Sequence, residues 1–161
     1  MRVAAIGIGS NSLRMLIADV ARGRLRRLHR YREGLRVFAA LDPQGNITAE
    51  MMDKACRSVG EFVREAKAQR SQQIHLFATS AVRDAGNQAA FAGALEEATG
   101  LPLEICSGDL EARLSFIGAT DGGSSGLIDI GGGSTEIVAG CGTDIYRAVS
   151  LQMGAVRLCR M

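Results

Sequence analysis

Histidine is nearly absent: the chain has 2 in 161 residues, and its 4 cysteines (Cys56, Cys106, Cys141, Cys159) lie far apart. There is no Cys-x-x-Cys pair and no histidine at ligand spacing. That leaves no basis for a zinc site or a disulfide framework, and it suits a reducing cytoplasm. Aromatic residues are only 4% of the chain, and none beyond Tyr31 interleaves its arginines, which argues against single-stranded nucleic acid as a partner. A formal charge of +2 is too small to imply a DNA or RNA binder. Long apolar runs are missing too. The N-terminal run is broken by Ser10, Asn11 and Arg14 and followed by Asp19, so neither a signal peptide nor a membrane span fits. Apolar residues still make up 47%, enough for a real core.

What the chain does have is a pair of glycine turns. Gly126-Leu-Ile-Asp-Ile-Gly-Gly-Gly-Ser-Thr-Glu136 is echoed near the start by Ala5-Ile-Gly-Ile-Gly-Ser-Asn-Ser12. Each is an apolar run that breaks into glycine and small polar residues, then resumes, the pattern of strand, tight turn and strand. Glycine lets backbone approach a ligand closely, and successive N–H groups in such a turn form a concave anion site. Two such turns suggest a phosphate chain gripped from two sides.

Residues 2–9, 13–20 and 24–32 read as an antiparallel meander. The last of these is crowded with arginine (Arg22 to Arg32), a solvated edge strand blunted by charge, with a polyanion-steering surface as the second reading. Thr48 caps a helix whose Met52, Ala55, Cys56, Val59, Val63 and Ala66 recur at helical spacing and face the core. Ile74 to Ala78 forms a short buried strand. A helix from about Gln88 to Ala98 follows, closed by Gly100. Leu103 to Cys106 is a strand. Ser107 caps a helix to about Ala119, with Leu110, Leu114 and Ile117 on its buried side. The order is βββαβαβα. After a glycine- and serine-rich join at residues 122–126, strands 127–130, 134–139 and 144–150 begin a second, similar unit. Domains 1–124 and 125–161 follow from this, the second stopping where its helix should begin. Its open sheet face predicts a homodimer or higher oligomer, or disorder beyond about Gly126.

Gly9-Ser-Asn-Ser12, Thr79-Ser-Ala-Val-Arg-Asp84, Ser107-Gly-Asp-Leu-Glu-Ala-Arg113 and Asp129-Ile-Gly-Gly-Gly-Ser-Thr-Glu136 appear in that order, with Gly154-Ala-Val-Arg157 after them. This set resembles the exopolyphosphatase/guanosine pentaphosphate phosphohydrolase family of the actin-like ATPase superfamily. The resemblance implies an α/β fold, an actin-like ATPase (ribonuclease H-like) domain followed by the start of a second, with the active site in the cleft between them. It implies removal of terminal phosphate from polyphosphate or guanosine pentaphosphate with magnesium, or manganese in its place. Carried over by position, Ser10, Asn11 and Ser12 cradle phosphate from the first domain, and Gly131, Gly132, Gly133, Ser134 and Thr135 from the second. Asp129 holds the metal, Glu136 supports that shell, and Glu111 positions and deprotonates the attacking water. Arg83, after a strand end and a hydroxyl pair, is a phosphate contact or a solvated arginine.

The residues make chemical sense in these roles. Phosphoryl transfer needs positioning and charge neutralisation more than covalent chemistry. Magnesium takes hard oxygen ligands and keeps several waters, so one or two carboxylates suffice. With histidine scarce, a carboxylate is the natural base. Asp129 stands between Ile128 and Ile130, and a charge with apolar neighbours calls for a partner or a metal. One position departs from the family: Gly7 stands where the family has aspartate. That departure favours an alternative reading, a module that binds polyphosphate or guanosine tetraphosphate with weak or no turnover. A sugar or acetate kinase of the same superfamily is a third reading, which the block from Ser107 to Arg113 does not support.

Overall fold

Alternating apolar residues build the first sheet. The computed structural model describes residues 1–159. In β1 (Arg2–Ile8), Ala4, Ile6 and Ile8 point inward and are buried, while the residues between them are half-buried. β2 (Leu13–Ala21) runs antiparallel to β1, and β3 (Arg24–Glu33) antiparallel to β2. β4 (Gln73–Ala78) and β5 (Leu103–Ile105) add in parallel, giving the order β3-β2-β1-β4-β5. The arginine-rich strand is therefore an edge, as its charge predicts, and most of its side chains are exposed.

Helix α1 (Ala49–Ala68) begins as expected: Thr48 accepts a hydrogen bond from the N–H of Met51 at 3.3 Å. Ala55, Val59, Val63 and Ala66 are buried as the spacing predicts. Met51 takes the buried place expected for Met52, which is only half-buried like Cys56. The short α2 (Ser80–Arg83) and a 3-10 turn at Val37–Ala40 carry no helical periodicity in the sequence and were not anticipated. α3 (Gln88–Thr99) ends on Gly100 in the left-handed region (φ 70°), which glycine enters without penalty.

The structure divides into two units, Met1–Ile105 and Cys106–Met161. The expected boundary at 124 lies inside the second unit, because α4 (Gly108–Ala119) packs on the second sheet. That sheet is an antiparallel meander of β6 (Ser124–Ile130), β7 (Thr135–Cys141) and β8 (Asp144–Leu151). Ala112 and Phe116, four residues apart on one helix face, bury against Val138, with Leu127, Ile145 and Ala148 around them. This corrects the expected burial of Leu114 and Ile117, which are 52% and 38% exposed. The helix is apolar on several sides, so spacing alone does not choose the face; the room above Gly140 does. A β-carbon there would lie 3.0 Å from the Phe116 ring. Ser107 caps α4, accepting from the N–H of Leu110 at 3.2 Å. A last short helix, α5 (Ala155–Leu158), follows β8.

The second meander repeats the first in detail. Gly9 N–H donates to the Ser12 carbonyl at 3.0 Å, and Gly131 N–H to the Ser134 carbonyl at 2.9 Å. Counting on from these turns, the ladder irregularity between Ile17 and Ala18 falls at the same place as that between Ala139 and Gly140. Ile6, Ile8 and Met15, buried in the first unit, correspond to Ile128, Ile130 and Ile137, which are 67%, 68% and 43% exposed. The open face predicted for the second sheet is present, on strands that are fully formed.

Candidate functional site

The two glycine turns spend their backbone groups in the same way. In the first unit, the carbonyls of Ser10 and Asn11 accept from the N–H groups of Phe38 and Arg36, each at 3.0 Å. In the second, the Gly131 carbonyl accepts from Ala155 N–H at 2.9 Å, and the Gly132 carbonyl from Val156 and Arg157 at 2.9 and 3.0 Å. The Gly133 carbonyl accepts from Arg157 Nε at 2.8 Å. Thr135 Oγ1 donates to the Met153 carbonyl. Gly154 allows this close seating, since a β-carbon there would lie 2.4 Å from Gly132 and Gly133 backbone atoms. Each turn is thus held through its carbonyls. Among the described residues, the N–H groups of Ser10, Asn11 and Ser12, and of Gly132, Gly133 and Ser134, meet no protein acceptor. Gly133 and Ser134 are buried, so their N–H groups call for a water or ligand acceptor. Such runs of N–H groups make an anion-binding concavity.

Side chains complete the first turn. Ser10 and Ser80 hydroxyls lie 3.1 Å apart, and Arg32 Nε donates to Ser12 Oγ at 3.3 Å. Arg83 closes α2, half-buried, with Nε 3.8 Å from Asp84 Oδ1. Ser10, Ser12 and Ser80 are all buried, whereas Asn11 is exposed.

The three candidate carboxylates, Glu111, Asp129 and Glu136, all lie in the second unit. Asp129 pairs directly across from Glu136, and Glu136 from Ser150, so the three form one row on the face under α4. This revises the sequence argument for Asp129: Ile128 and Ile130 point to the opposite, exposed face, so they do not enclose the carboxylate. What Asp129 meets is Ser115 on α4, whose Oγ donates to Oδ2 at 2.7 Å. Ser150 Oγ donates to Glu136 Oε1 at 2.9 Å, and Glu136 is only 1% exposed. Glu111 sits in the first turn of α4, half-buried, one helical turn before Ser115 on the same side. α4 is drawn tightly onto β8 at this level, because a β-carbon on Gly108 would lie 2.8 Å from Ser150 Cβ.

Among the described residues, no three histidine, cysteine or carboxylate side chains converge as a ready-made metal cage. Magnesium does not require one. Two carboxylates directly opposed across strands repel each other, and the burial of Glu136 raises the cost of that repulsion. A divalent cation beside them, completed by water, suits this donor set of hard oxygens. The residues present fit the group.

Several contributors lay outside the sequence reading. Ser115 stands at helical spacing from Glu111, a signal that was available. Ser150 could be found only from strand register. The ring of Phe77, the partner of Gly7 in the β1–β4 pairing, lies where a β-carbon on Gly7 would come within 2.8 Å of it, and no local signal announces this.

Comparison with known proteins bears on the family and the fold. Residues 16–161 match the family model described as the Ppx/GppA phosphatase family. The chain is 36% identical to Exopolyphosphatase 1 of Mycobacterium leprae over 166 aligned residues, covering 99% of this chain and 49% of that protein. It resembles the crystal structure of an exopolyphosphatase from Cytophaga hutchinsonii with a TM-score of 0.91 at 27% identity, covering 99% of this chain and 53% of that one. The Aquifex aeolicus family member gives 0.86 at 27% identity, over 100% and 54%. The chain therefore spans about half the length of the relatives it matches. More distant actin-like proteins share the fold alone. With the family model matching residues 16–161, this chain belongs to the Ppx/GppA phosphatase family.

Proposed function

We propose that the chain carries the phosphate- and metal-binding elements of a phosphohydrolase that releases terminal orthophosphate from inorganic polyphosphate or guanosine pentaphosphate. The observation that carries this reading is the second unit's arrangement. A turn with unspent N–H groups (Gly132 to Ser134) stands beside the row Asp129–Glu136, under the helix that bears Glu111. Backbone donors and the Ser134 and Thr135 hydroxyls hold phosphate oxygens without reorganising. Ser10, Asn11 and Ser12 supply a second such turn, with Arg83 as a further phosphate contact. Asp129 and Glu136 would hold magnesium or manganese, which supplies charge neutralisation for the phosphoryl oxygens. Glu111 orients the attacking water and accepts its proton. Glu111 stands half-buried in the first turn of α4, still open to solvent. Among the described residues no helix is long and apolar enough to cross a membrane. We place the protein in the cytoplasm on its cysteine pattern, and expect it to self-associate through the open face of Ile128, Ile130 and Ile137.

A second reading has its own support. Gly7 offers no carboxylate at the end of its strand, and the Phe77 ring crowds the place a β-carbon would take. This favours a module that binds polyphosphate or guanosine tetraphosphate with little turnover. Magnesium-dependent orthophosphate release from both substrates, comparing the chain with Glu111→Gln, separates the readings. Release that collapses in the variant supports the hydrolase; binding of polyphosphate without release supports the module.

A further inference from the structure

We propose that Ser115 is a positioning residue for the divalent cation: its hydroxyl fixes the Asp129 carboxylate so that the other oxygen is turned to the ion. The proposal rests on the reading of Asp129 as a metal carboxylate. A serine inside a helix ordinarily points to solvent or bonds back to the carbonyl four residues earlier. Ser115 instead donates to Asp129 Oδ2 on a neighbouring strand at 2.7 Å, a full-strength O–H···O hydrogen bond. Among the described residues, Oδ1 makes no hydrogen bond. One oxygen is thus anchored and one is left for a ligand, the division that orients a metal-binding carboxylate.

The anchor also links the two halves of the chemistry. Ser115 lies one turn after Glu111 on the same side of α4, so the helix that carries the base sets the rotamer of the metal carboxylate. Ser150 does the same for Glu136 from β8, at 2.9 Å. Helix propensity does not explain Ser115, because alanine is the better helix former at that position. Replacing it by alanine should therefore leave folding intact and weaken the ion's site. A merely structural serine would give the opposite pattern.

The test is direct Mn²⁺ titration, read by electron paramagnetic resonance without substrate. The chain is compared with Ser115→Ala, Ser115→Thr and Asp129→Asn, with circular dichroism confirming the fold. Expected are a roughly tenfold or greater loss of affinity in Ser115→Ala, recovery in Ser115→Thr, which keeps the donor, and loss of the site in Asp129→Asn. Parental affinity in Ser115→Ala alongside loss in Asp129→Asn overturns the proposal and leaves the metal reading standing. Parental affinity in Asp129→Asn overturns both. A Ser115→Ala chain that unfolds, or a Ser115→Thr chain as weak as the alanine variant, assigns the hydroxyl to architecture and overturns the proposal.

Discussion

The packing at Gly7 makes a quantitative prediction about restoring a carboxylate to the first unit. A β-carbon at Gly7 would lie 2.8 Å from Phe77 Cζ and 2.9 Å from Cε2. Carbon atoms rest at about 3.5–4.0 Å, so even alanine overlaps the ring by roughly 0.7 Å or more. Gly7 and Phe77 are register partners on adjacent parallel strands, so the backbone cannot part without breaking the β1–β4 ladder. The ring must turn instead. Overpacking of this kind costs about 1–3 kcal/mol. Gly7→Ala and Gly7→Asp should both be destabilised by that amount in urea unfolding, and Gly7→Asp alone should gain no turnover. Phe77→Ala costs less than the roughly 3–5 kcal/mol of a fully buried ring, because Phe77 is only half-buried. In Gly7→Ala/Phe77→Ala the penalties should fail to add, with a favourable coupling of about 1–3 kcal/mol. In Gly7→Asp/Phe77→Ala the carboxylate should find room, and a rise in magnesium-dependent phosphate release would identify a hydrolase limited by that missing group. A Gly7→Ala chain as stable as the parent would refute the steric argument.

Phe116→Ala should destabilise the second unit by about 3–5 kcal/mol, read from the β6–β8 amides in hydrogen exchange, because the ring is fully buried over Gly140. Arg157→Ala removes the Nε donor from the Gly133 carbonyl, a charged hydrogen bond of about 1.5–3 kcal/mol. Phosphate-chain affinity, measured by calorimetry, should fall on the order of tenfold or more, while Arg157→Lys recovers only part. Glu65 is held below its ordinary 4.5 by the Gln69 amide and then by the Tyr31 hydroxyl. A depressed carboxylate stabilises the fold above its unfolded pKa and loses that contribution as pH falls through the folded value. Tyr31→Phe should therefore lower stability at neutral pH by a margin that narrows in acid unfolding below about pH 4; a margin that widens there refutes the sign.

The elements readable in the sequence are those that local chemistry decides. Thr48 and Ser107 cap helices because a hydroxyl before an amphipathic run satisfies orphan N–H groups, whatever lies elsewhere in the chain. Gly100 ends α3 for an equally local reason. What failed needed partners distant in sequence. Leu114 and Ile117 look as buriable as Phe116, and only the space over Gly140 selects the phenylalanine. The boundary at 124 rested on glycine and serine composition, yet α4 belongs with the strands after that stretch because its core partners are Leu127, Val138 and Ile145. The site followed the same rule. Its turns were legible as glycine patterns, while the serines anchoring Asp129 and Glu136 depended on strand register and helix placement.

The repeat separates what the fold fixes from what the site selects. Both meanders keep the same turn closure, the same ladder irregularity and the same anchoring of turn carbonyls by a segment beyond the third strand. Those features are backbone properties, indifferent to side-chain charge. The rows beneath the two turns carry no such constraint, and there the units diverge. Gly7, Arg14 and Arg32 face one another across the first sheet, where Asp129, Glu136 and Ser150 do so across the second. Like charges directly opposed on adjacent strands oppose folding in both rows. Neither pairing of arginine with arginine nor of aspartate with glutamate is what stability alone would choose. Under the proposed function, a basic row beside one N–H-rich turn suits phosphate and an acidic row beside the other suits a cation, the same template charged oppositely in each unit.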